Sequence, residues 1–444
     1  MPWPLTASRD EDGRLVLGGI RAEMLATDYG TPLYVYDKAT LRENARRFTH
    51  IFASVYPDSR IVYAGKACLS PGVVNVLAAE GLGLDVVSAG ELHAGLAAGF
   101  APSAITFHGN NKDAQELRYA LDHEIGLIAI DNDHEITLLE QLTDNLPRQQ
   151  PVVIRVNPGV EANTHHTMRT GALDSKFGFP IDTGAASHAV RQILRVPGLS
   201  LKGYHTHVGS QIFDPALVEI TLHRIMEFAK SIYDQFGIAP EIISPGGGFG
   251  VADDASGHDV SVEGWAGHAA ETLRSLCESL GLPLPRLVVE PGRAMVGAAG
   301  VTLYRVGAIK RIEGVRTFVS VDGGMADNIR PALYGARYGA AIANRQGGPT
   351  MEIICVAGKY CESGDVLIEA IDLPTIESGD LLAMPMTGAY CLAMSSNYNF
   401  ATRPAVVIVE DGVSQLVRRR ETLDDLLATE ILPPQQVPPL AGVP

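Results

Sequence analysis

The sequence lacks a long apolar segment. Nowhere do about eighteen uncharged apolar residues follow one another, although a membrane-spanning helix needs roughly that length. The start of the chain, MPWPLTASRDEDGR, is acidic and contains no apolar stretch of the kind that directs secretion. These absences predict a protein with no membrane partner and a cytoplasmic location.

Basic side chains and paired cysteines are also scarce. The chain has 35 Lys and Arg residues against 51 Asp and Glu residues, which gives a formal net charge of −16. Because proteins that bind nucleic acid normally carry a basic face, no nucleic-acid partner is expected. The five cysteines are odd in number and include no CxxC pair, which argues against a disulfide framework or a structural zinc site. The class that remains is a globular protein whose 444 residues suffice for two domains.

Short apolar runs alternate with helical patterns from residue 60 to residue 292. Eight runs are typical of strands: RIVYAGK (60–66), GLDVVS (83–88), AITFHG (104–109), GLIAID (126–131), PVVIRVN (151–157), LKGYHTHVG (201–209), EIISPGG (241–247) and RLVVEPG (286–292). Ser70 with Pro71 predicts the start of one intervening helix, and Ser88 predicts the start of another. Eight βα units over about 230 residues favour an α/β fold, the (β/α)₈ TIM-like barrel. An open doubly wound sheet is the rival, but no GxGxxG follows the first run.

The pattern changes after Arg293. Five strand-like runs follow without helical spacers: 299–312, 316–324, 350–358, 365–374 and 405–412. They predict a second, all-β domain, a β-barrel or a sandwich. The predicted division is 38–290 for the cofactor-binding barrel and 1–37 with 291–430 for the β-domain. The segment 431–444 contains five prolines and no charge, which predicts a disordered tail.

Two strand ends indicate an anion site. Catalytic groups of a (β/α)₈ barrel lie at the carboxyl ends of its strands, and a phosphate site often forms after strands seven and eight. The seventh run ends in SPGGGFG, where Gly246, Gly247 and Gly248 would let main-chain N–H groups converge on an anion. An ordinary tight turn is the alternative. The eighth run ends in EPGR, so Glu290 and Arg293 are predicted at the same end of the barrel.

A lysine ends the first run. A buried, unpaired Lys66 would shift its pKa and become a good amine for a Schiff base, whereas a surface lysine with its ammonium in water is the alternative. A lysine, a phosphate cradle and a carboxylate are together what pyridoxal phosphate requires. The three strand ends therefore predict pyridoxal 5'-phosphate as the cofactor.

The sixth run contains an HxH pair, His205 and His207. Residues two apart on a strand share a face, so a metal-dependent hydrolase is a rival interpretation. Glu290 and Asp131 are the only obvious acids at strand ends, however, and a hydrolase would leave the glycine-rich loop unexplained. We therefore expect no metal; His207 is predicted to stack on the cofactor ring, and Ser210 to donate to its phosphate.

Several motifs occur in one order along the chain. YAGKA (63–67), HVGSQ (207–211), PGGGFG (245–250), EPGR (290–293) and CESGD (361–365) resemble the fold-type III pyridoxal-phosphate-dependent decarboxylases, over about residues 30 to 410. Within that family, SKFGF (175–179), CESGD, and GAY with SSNYN (388–399) resemble the diaminopimelate decarboxylase branch. The ornithine and arginine enzymes carry a different residue after the cysteine. One departure is Cys68, which stands where the lysine motif commonly has asparagine.

The resemblance implies a reaction and a set of roles. The implied reaction is decarboxylation of meso-2,6-diaminopimelate to L-lysine and CO2, the last step of lysine biosynthesis. The implied cofactor residues are Lys66 for the Schiff base, His207 on the ring, Glu290 on the pyridine nitrogen, and Ser210, Gly246, Gly247, Gly248, Pro291, Gly292, Arg293 and Tyr390 around the rest. The implied substrate residues are Arg293, Arg330 and Tyr334 for the far carboxylate, Glu362 for the far ammonium, and Tyr390.

The resemblance also implies an assembly. Cys361, as proton donor, and Glu362 are expected to enter the active site of a partner subunit, which predicts a homodimer with shared sites. Alternatives from the sequence are a decarboxylase of the same fold acting on another amino acid, a catalytically silent regulator, and the metal-dependent hydrolase.

Overall fold

The computed structural model of the protein describes residues 2–160, 175–251 and 261–431. Apart from Ile431, the tail that was predicted to be disordered lies outside the described residues. Among the helices in these ranges, none has both the length and the apolar composition needed to cross a membrane.

Eight parallel strands form a closed barrel. They are Ser59–Ala64, Gly83–Val86, Ile105–Phe107, Leu127–Ile130, Gln150–Asn157, Leu199–His205, Ile242–Gly247 and Arg286–Glu290. Each strand pairs with the next one in the chain, and the last pairs with the first, so the barrel has no open edge. A two-residue strand, Phe179–Pro180, pairs in parallel with the last two residues of the fifth strand. The barrel predicted from the alternating runs is confirmed.

Helices connect the barrel strands. They are Lys38–Val55 ahead of the first strand, then Pro71–Ala79, Ala89–Ala97, Ala114–Asp122, Asp133–Thr143, Ala185–Ile193, Ala216–Phe236 and Val262–Leu280, with 3₁₀ turns at Gly65–Ala67 and Pro102–Ala104. Ser88 caps its helix as predicted, because its Oγ accepts the N–H of Glu91 at 3.1 Å. Ser70 precedes its helix but makes no such bond, and Pro71 supplies the start by fixing φ at the first position.

A mixed sheet forms the second domain. Its order is Val366–Pro374, Met351–Ala357, Arg316–Val321, Gly300–Ile312, Leu33–Asp37, Ala405–Glu410 and Val413–Arg418, with Leu381–Pro385 and Ala341–Ile342 beside it. Ser8–Arg9, Leu15–Leu17 and Ile20–Arg21 form a separate small sheet. The remaining helices are Ala22–Tyr29, Arg293–Val296, Arg330–Tyr334 and Leu423–Leu427, with 3₁₀ turns at Leu392–Met394 and Tyr398–Phe400. The predicted β-domain is confirmed as an element of the fold, while its boundaries stay a prediction.

The barrel and the mixed sheet share one hydrophobic core. Tyr36 of the sheet is buried, and its hydroxyl lies 2.9 Å from the carbonyl oxygen of Gly388 and 3.3 Å from Sγ of Cys68. Cys68, the residue that departs from the family motif, therefore packs at the junction next to the turn that carries Lys66. Burial raises the pKa of Cys68, so this side chain stays a neutral thiol.

Candidate active site

A cavity of about 500 Å³ opens where the carboxyl ends of the barrel strands meet the β-domain. Eight predicted site residues line it: Lys66, His207, Ser210, Glu290, Arg293, Arg330, Tyr334 and Tyr390. A smaller pocket of about 50 Å³ adjoins it and adds Gly248 and Gly292. The fold therefore brings residues from distant parts of the sequence to one place.

Lys66 lies in the turn Gly65–Ala67, directly after the first barrel strand. Its side chain is exposed, although burial was expected, because the end of the strand opens onto the cavity. No hydrogen bond or ion pair involves it among the residues that the structure describes. The expectation of burial was thus wrong, and the amine is accessible to a molecule in the cavity.

Glu290 is buried at the end of the eighth strand. Its Oε2 accepts from Nε2 of His205 at 2.9 Å, and its Oε1 accepts from the hydroxyl of Ser244 at 3.1 Å. Burial acts to raise the pKa of Glu290, but the nearby imidazoles, His205 foremost, outweigh it and lower the pKa. Asp85, which the sequence reading overlooked, lies beside this group, and burial with the charge of Glu290 raises its pKa well above 3.8. One negative charge is therefore held on Glu290.

The two histidines of the HxH pair make different hydrogen bonds. His205 is bound to Glu290, whereas Nδ1 of His207 accepts the N–H of Gly247 at 3.3 Å. Burial, and after it the charge of Lys66, lowers the pKa of His207, so its imidazole is neutral where it lines the cavity. Among the described residues, the set that could hold a metal ion is His108, His205 and Glu290, whose ligand atoms lie within 4.8 Å. His207 is not part of it, so the HxH spacing does not form a chelating pair.

The glycine-rich loop differs from its prediction. The N–H of Gly246 donates to Oγ of Ser244 at 3.2 Å, and that of Gly247 donates to His207, so these two groups do not converge on one anion. Gly248 alone of the three lines the smaller pocket. Pro291 lines neither pocket, and its carbonyl accepts the N–H of Ala64 at 3.2 Å. The loop contributes one glycine to the pocket wall and uses the other two to join the strands.

Two arginines lie over an aromatic ring on the β-domain side. The guanidinium carbons of Arg293 and Arg330 lie 4.9 Å and 5.5 Å from the ring centroid of Tyr390. Nε of each arginine is buried without a hydrogen-bond partner, and among the described residues neither arginine forms an ion pair. Burial, and after it the charge of Arg330, lowers the pKa of Arg293. Guanidinium groups that lack a carboxylate partner favour the binding of an anion.

Tyr390 has an unusual backbone. Its φ is +63°, a conformation that costs a non-glycine residue of order 1–3 kcal/mol. Its N–H donates to the carbonyl of Ala67 at 2.7 Å, which ties the tyrosine to the turn that carries Lys66. The contact fixes the distance between the lysine and the arginine pair.

Cys361 and Glu362 do not reach this cavity. Both are exposed, and neither lines either pocket. The carboxylate of Asp365 holds their loop, because it accepts the N–H groups of Met325 at 2.6 Å and Tyr360 at 2.8 Å. The loop is thus fixed on the outer surface of its own chain.

Sequence reasoning missed several lining residues, among them Asp85, His108, Asn110, Asn111, Arg155 and Phe177. The guanidinium of Arg155 lies 4.3 Å from the centroid of Phe177, and its Nε lies 3.8 Å from Asp131. Asp131 accepts the N–H of Gly178 and does not line the cavity. A usable signal was present, since His108 is the first polar residue after an apolar run.

The loop that leads to Arg330 contains a buried carboxyl group. Asp327 is 2% exposed, and its Oδ2 accepts the N–H of Gly324 at 2.9 Å. Burial raises the pKa of Asp327 from 3.8 to about 7. Between about pH 4 and pH 7 the folded protein keeps a proton that the unfolded chain has released, so the free energy of unfolding falls as the pH rises through this window.

We expect Asp327→Asn to remove this pH dependence, because an amide cannot ionise. Within the window, the free energy of unfolding of the variant should rise relative to that of the wild type by about 1.4 kcal/mol for each unit of increasing pH. Thermal unfolding of both proteins near the two ends of the window measures the gain. A difference in unfolding temperature that is the same at both ends would contradict it.

The amino-acid sequence matches a known protein family. Residues 38–297 match the model described as the pyridoxal-binding domain of pyridoxal-dependent decarboxylases. The chain is 45% identical over 426 residues to diaminopimelate decarboxylase of Bacillus subtilis, which covers 96% of this chain and 97% of that protein. It is 43% identical to diaminopimelate decarboxylase of Corynebacterium efficiens, over 97% of this chain and 94% of that protein.

Solved structures give the same result. Diaminopimelate decarboxylase from M. jannaschii in complex with L-lysine superposes with a TM-score of 0.91 at 31% identity, over 98% of this chain and 100% of that chain. The enzyme from Helicobacter pylori complexed with L-lysine has a TM-score of 0.81 at 29% identity, over 91% and 98%. A lysine/ornithine decarboxylase from Vibrio vulnificus, 22% identical with a TM-score of 0.72, shares the fold.

Proposed function

We propose a function from the premise that the chain belongs to the diaminopimelate decarboxylases, within the pyridoxal-dependent decarboxylase family. It converts meso-2,6-diaminopimelate to L-lysine and CO2 with pyridoxal phosphate. The observation that carries the proposal is the cavity itself. Lys66 and the ionised Glu290 lie on its barrel side, and the unmatched guanidinium groups of Arg293 and Arg330 lie on its β-domain side.

The residues present fit pyridoxal phosphate. Lys66 offers an accessible amine for covalent attachment, and Glu290 offers a buried negative charge for the ring nitrogen. The neutral imidazole of His207 offers a flat face, and Ser210 and Gly248 offer polar groups in the smaller pocket for the phosphate. When bound, the cofactor supplies an electron-withdrawing ring that accepts the electron pair left on the α-carbon when CO2 departs.

The residues of this chain do the remaining work. Glu290 keeps a charge next to the ring nitrogen because His205 and Ser244 fix its carboxylate on two sides. Arg293 and Arg330 bind the far carboxylate of the substrate, and both guanidinium groups pack over the ring of Tyr390. A substrate such as ornithine has no far carboxylate and would leave these buried cations unmatched, which selects against it.

A second subunit completes the site in this proposal. The far ammonium of the substrate needs an acceptor, and the returning proton needs a donor, roles assigned to Glu362 and Cys361 of the partner subunit. Support comes from their exposure and from the hydrogen bonds that fix their loop away from the cavity of their own chain. The proposal is therefore a homodimer with two shared sites.

A cytoplasmic location belongs to the proposal. All five cysteines are free thiols, and four of them are buried, which suits a reducing compartment. The net charge of −16 and the small-molecule cavity leave no role for nucleic acid.

Gly248→Ala should weaken cofactor binding. Gly248 has a φ of +88°, and a Cβ there would lie 2.3 Å from the carbonyl oxygen of Gly209 and 2.9 Å from Cδ1 of Ile212, so the pocket wall must shift. A misfit of at least about 1.4 kcal/mol lowers the affinity for pyridoxal phosphate about tenfold. Titration of the apoenzyme followed by absorbance measures this.

Gly237→Ala is the matched control. Gly237 also has a positive φ, +72°, but nothing lies within 4 Å of its Cβ position, and it ends a helix outside both pockets. It should lose about 1 kcal/mol of stability and keep its affinity for the cofactor. Equal affinities of the two variants would remove Gly248 from the phosphate site.

Product analysis tests the proposed function. Purified protein loaded with pyridoxal phosphate is incubated separately with meso-diaminopimelate, ornithine and arginine, and the products are identified. We expect L-lysine and CO2 from meso-diaminopimelate, and turnover of the other two at least about a hundredfold slower. Preferred turnover of ornithine or arginine would assign the chain a different substrate, and no turnover of any of them would refute the decarboxylase assignment.

A further inference from the structure

A buried histidine that has no role in the mechanism above lies beside Glu290 in the cavity wall. His108 follows the barrel strand Ile105–Phe107 and is 4% exposed. Its backbone N–H donates to the carbonyl of Val86 at 2.7 Å, which fixes it next to the strand that carries Asp85. Its ring packs edge-on against His205, with centroids 4.5 Å apart. His108 is thus held next to the carboxylate of Glu290.

One ring nitrogen of His108 lies between two carboxyl groups. Nε2 is 3.6 Å from Oε1 of Glu290 and 3.9 Å from Oδ1 of Asp85. Neither Nε2 nor this oxygen of Asp85 has a hydrogen-bond partner among the described residues. Both distances exceed the usual N–H···O range of about 2.7–3.2 Å. Because unpaired buried polar atoms are unfavourable, a small closure of this cluster would be stabilising.

The charges of His108, Asp85 and Glu290 indicate which of the two contacts of His108 shortens to a hydrogen bond. Two adjacent buried carboxyl groups do not both ionise. The pKa of Asp85 is raised by burial and by Glu290, whereas the pKa of Glu290 is lowered by its imidazole neighbours despite burial. Burial lowers the pKa of His108 well below 6.5, so the ring is neutral and carries a single N–H.

We propose that His108 is a positioning residue whose Nε2–H donates to Oε1 of Glu290, keeping the negative charge of the Asp85–Glu290 pair on Glu290 and directed into the cavity. His205 on Oε2 and Ser244 on Oε1 restrain the same carboxylate from other sides. Glu290 also lines the cavity, where the cofactor would bind. This inference rests on the proposed function, since it gives Glu290 the ring nitrogen as its partner.

Two substitutions of His108 by amide side chains, glutamine and asparagine, distinguish this positioning role from simple packing. The side-chain nitrogen of glutamine reaches about as far as Nε2 of histidine, whereas that of asparagine reaches only as far as Nδ1. We expect His108→Gln to stay within about threefold of the wild type in cofactor affinity and in kcat. His108→Asn and His108→Leu should each lose about tenfold to a hundredfold in both quantities. This is the range that the loss of one hydrogen bond to a charged group produces. KM should change less than about twofold, because the substrate contacts proposed above are made by other residues, Arg293 and Arg330 foremost.

Cofactor affinity is measured by titrating each apoenzyme with pyridoxal phosphate, which requires no substrate. Steady-state kinetics with meso-diaminopimelate and the unfolding temperature of each apoenzyme complete the set. Equal losses in the Gln and Asn variants at unchanged unfolding temperatures, or a Leu variant that behaves as wild type, would overturn the proposal. Where His108→Leu fails to fold, the comparison of Gln with Asn decides. A wild type that binds the cofactor but does not decarboxylate refutes the proposed function, and the affinities still test His108.

Discussion

Replacing Lys66 by alanine is expected to lower kcat/KM for meso-diaminopimelate by at least about a thousandfold, which corresponds to about 4 kcal/mol of lost transition-state stabilisation. The amine that attaches the cofactor is lost, and no other lysine lines the cavity among the described residues. The fold should persist, because Lys66 is exposed and makes no hydrogen bond or ion pair with the described residues. Its unfolding free energy should change by about 0.5 kcal/mol or less.

The measurement combines kinetics with the visible spectrum. Wild type should show an absorption band that borohydride reduces, with the label fixed on Lys66, and the variant should not. Lys310→Ala is the matched control, since Lys310 is an exposed lysine of the mixed sheet with no ion pair among the described residues, far from the cavity wall. A variant at position 66 that keeps the reducible band of the wild type would remove Lys66 as the point of attachment.

Mixing two inactive variants is expected to restore activity. Lys66→Ala lacks the lysine of its own barrel, and Cys361→Ala lacks the cysteine that it lends to its partner. When subunits exchange, half of the dimers are mixed, and each of these contains one intact site and one doubly defective site. The mixture should therefore recover about a quarter of wild-type activity.

A second mixture provides the control. Lys66→Ala combined with Glu290→Gln leaves one lesion in the barrel of every subunit, so no mixed dimer contains an intact site and no activity should return. Exchange is verified independently with subunits of two labels. Absence of recovery in the first mixture despite exchange would contradict the shared-site proposal. Cys361 would then be assigned to the active site of its own chain.

The regular elements could be predicted from the sequence because they repeat. Eight apolar runs, each followed by a helical pattern, define the closed barrel, and the runs after Arg293 define most of the mixed sheet. The strands Leu381–Pro385 and Val413–Arg418 were not predicted. Val413–Arg418 is largely exposed at the edge of the sheet, so it shows no apolar run.

Some residues of the site were harder to predict. Lys66 and Glu290 stand in motifs at the ends of strands, whereas Asp85 lies inside the run GLDVVS and was hidden by its apolar neighbours. Exposure of Lys66 also depends on tertiary structure, because a cavity above the strand end cannot be recognised from the strand alone. The glycines show the same limit, since the N–H groups of Gly246 and Gly247 donate to the side chains of Ser244 and His207, contacts that the glycine pattern does not reveal.

The position of the strand Leu33–Asp37 determines the order in which the molecule can be assembled during synthesis. This strand pairs with Gly300–Ile312 on one side and with Ala405–Glu410 on the other. A ribosome releases it before the whole barrel, and its second partner appears only near the end of translation. The barrel can close while the chain is still growing, but the sheet beside which Tyr390 bonds to Ala67 cannot form completely. A chain terminated before residue 405 would keep Leu33–Asp37 with one unpaired edge, an open template for association with other chains.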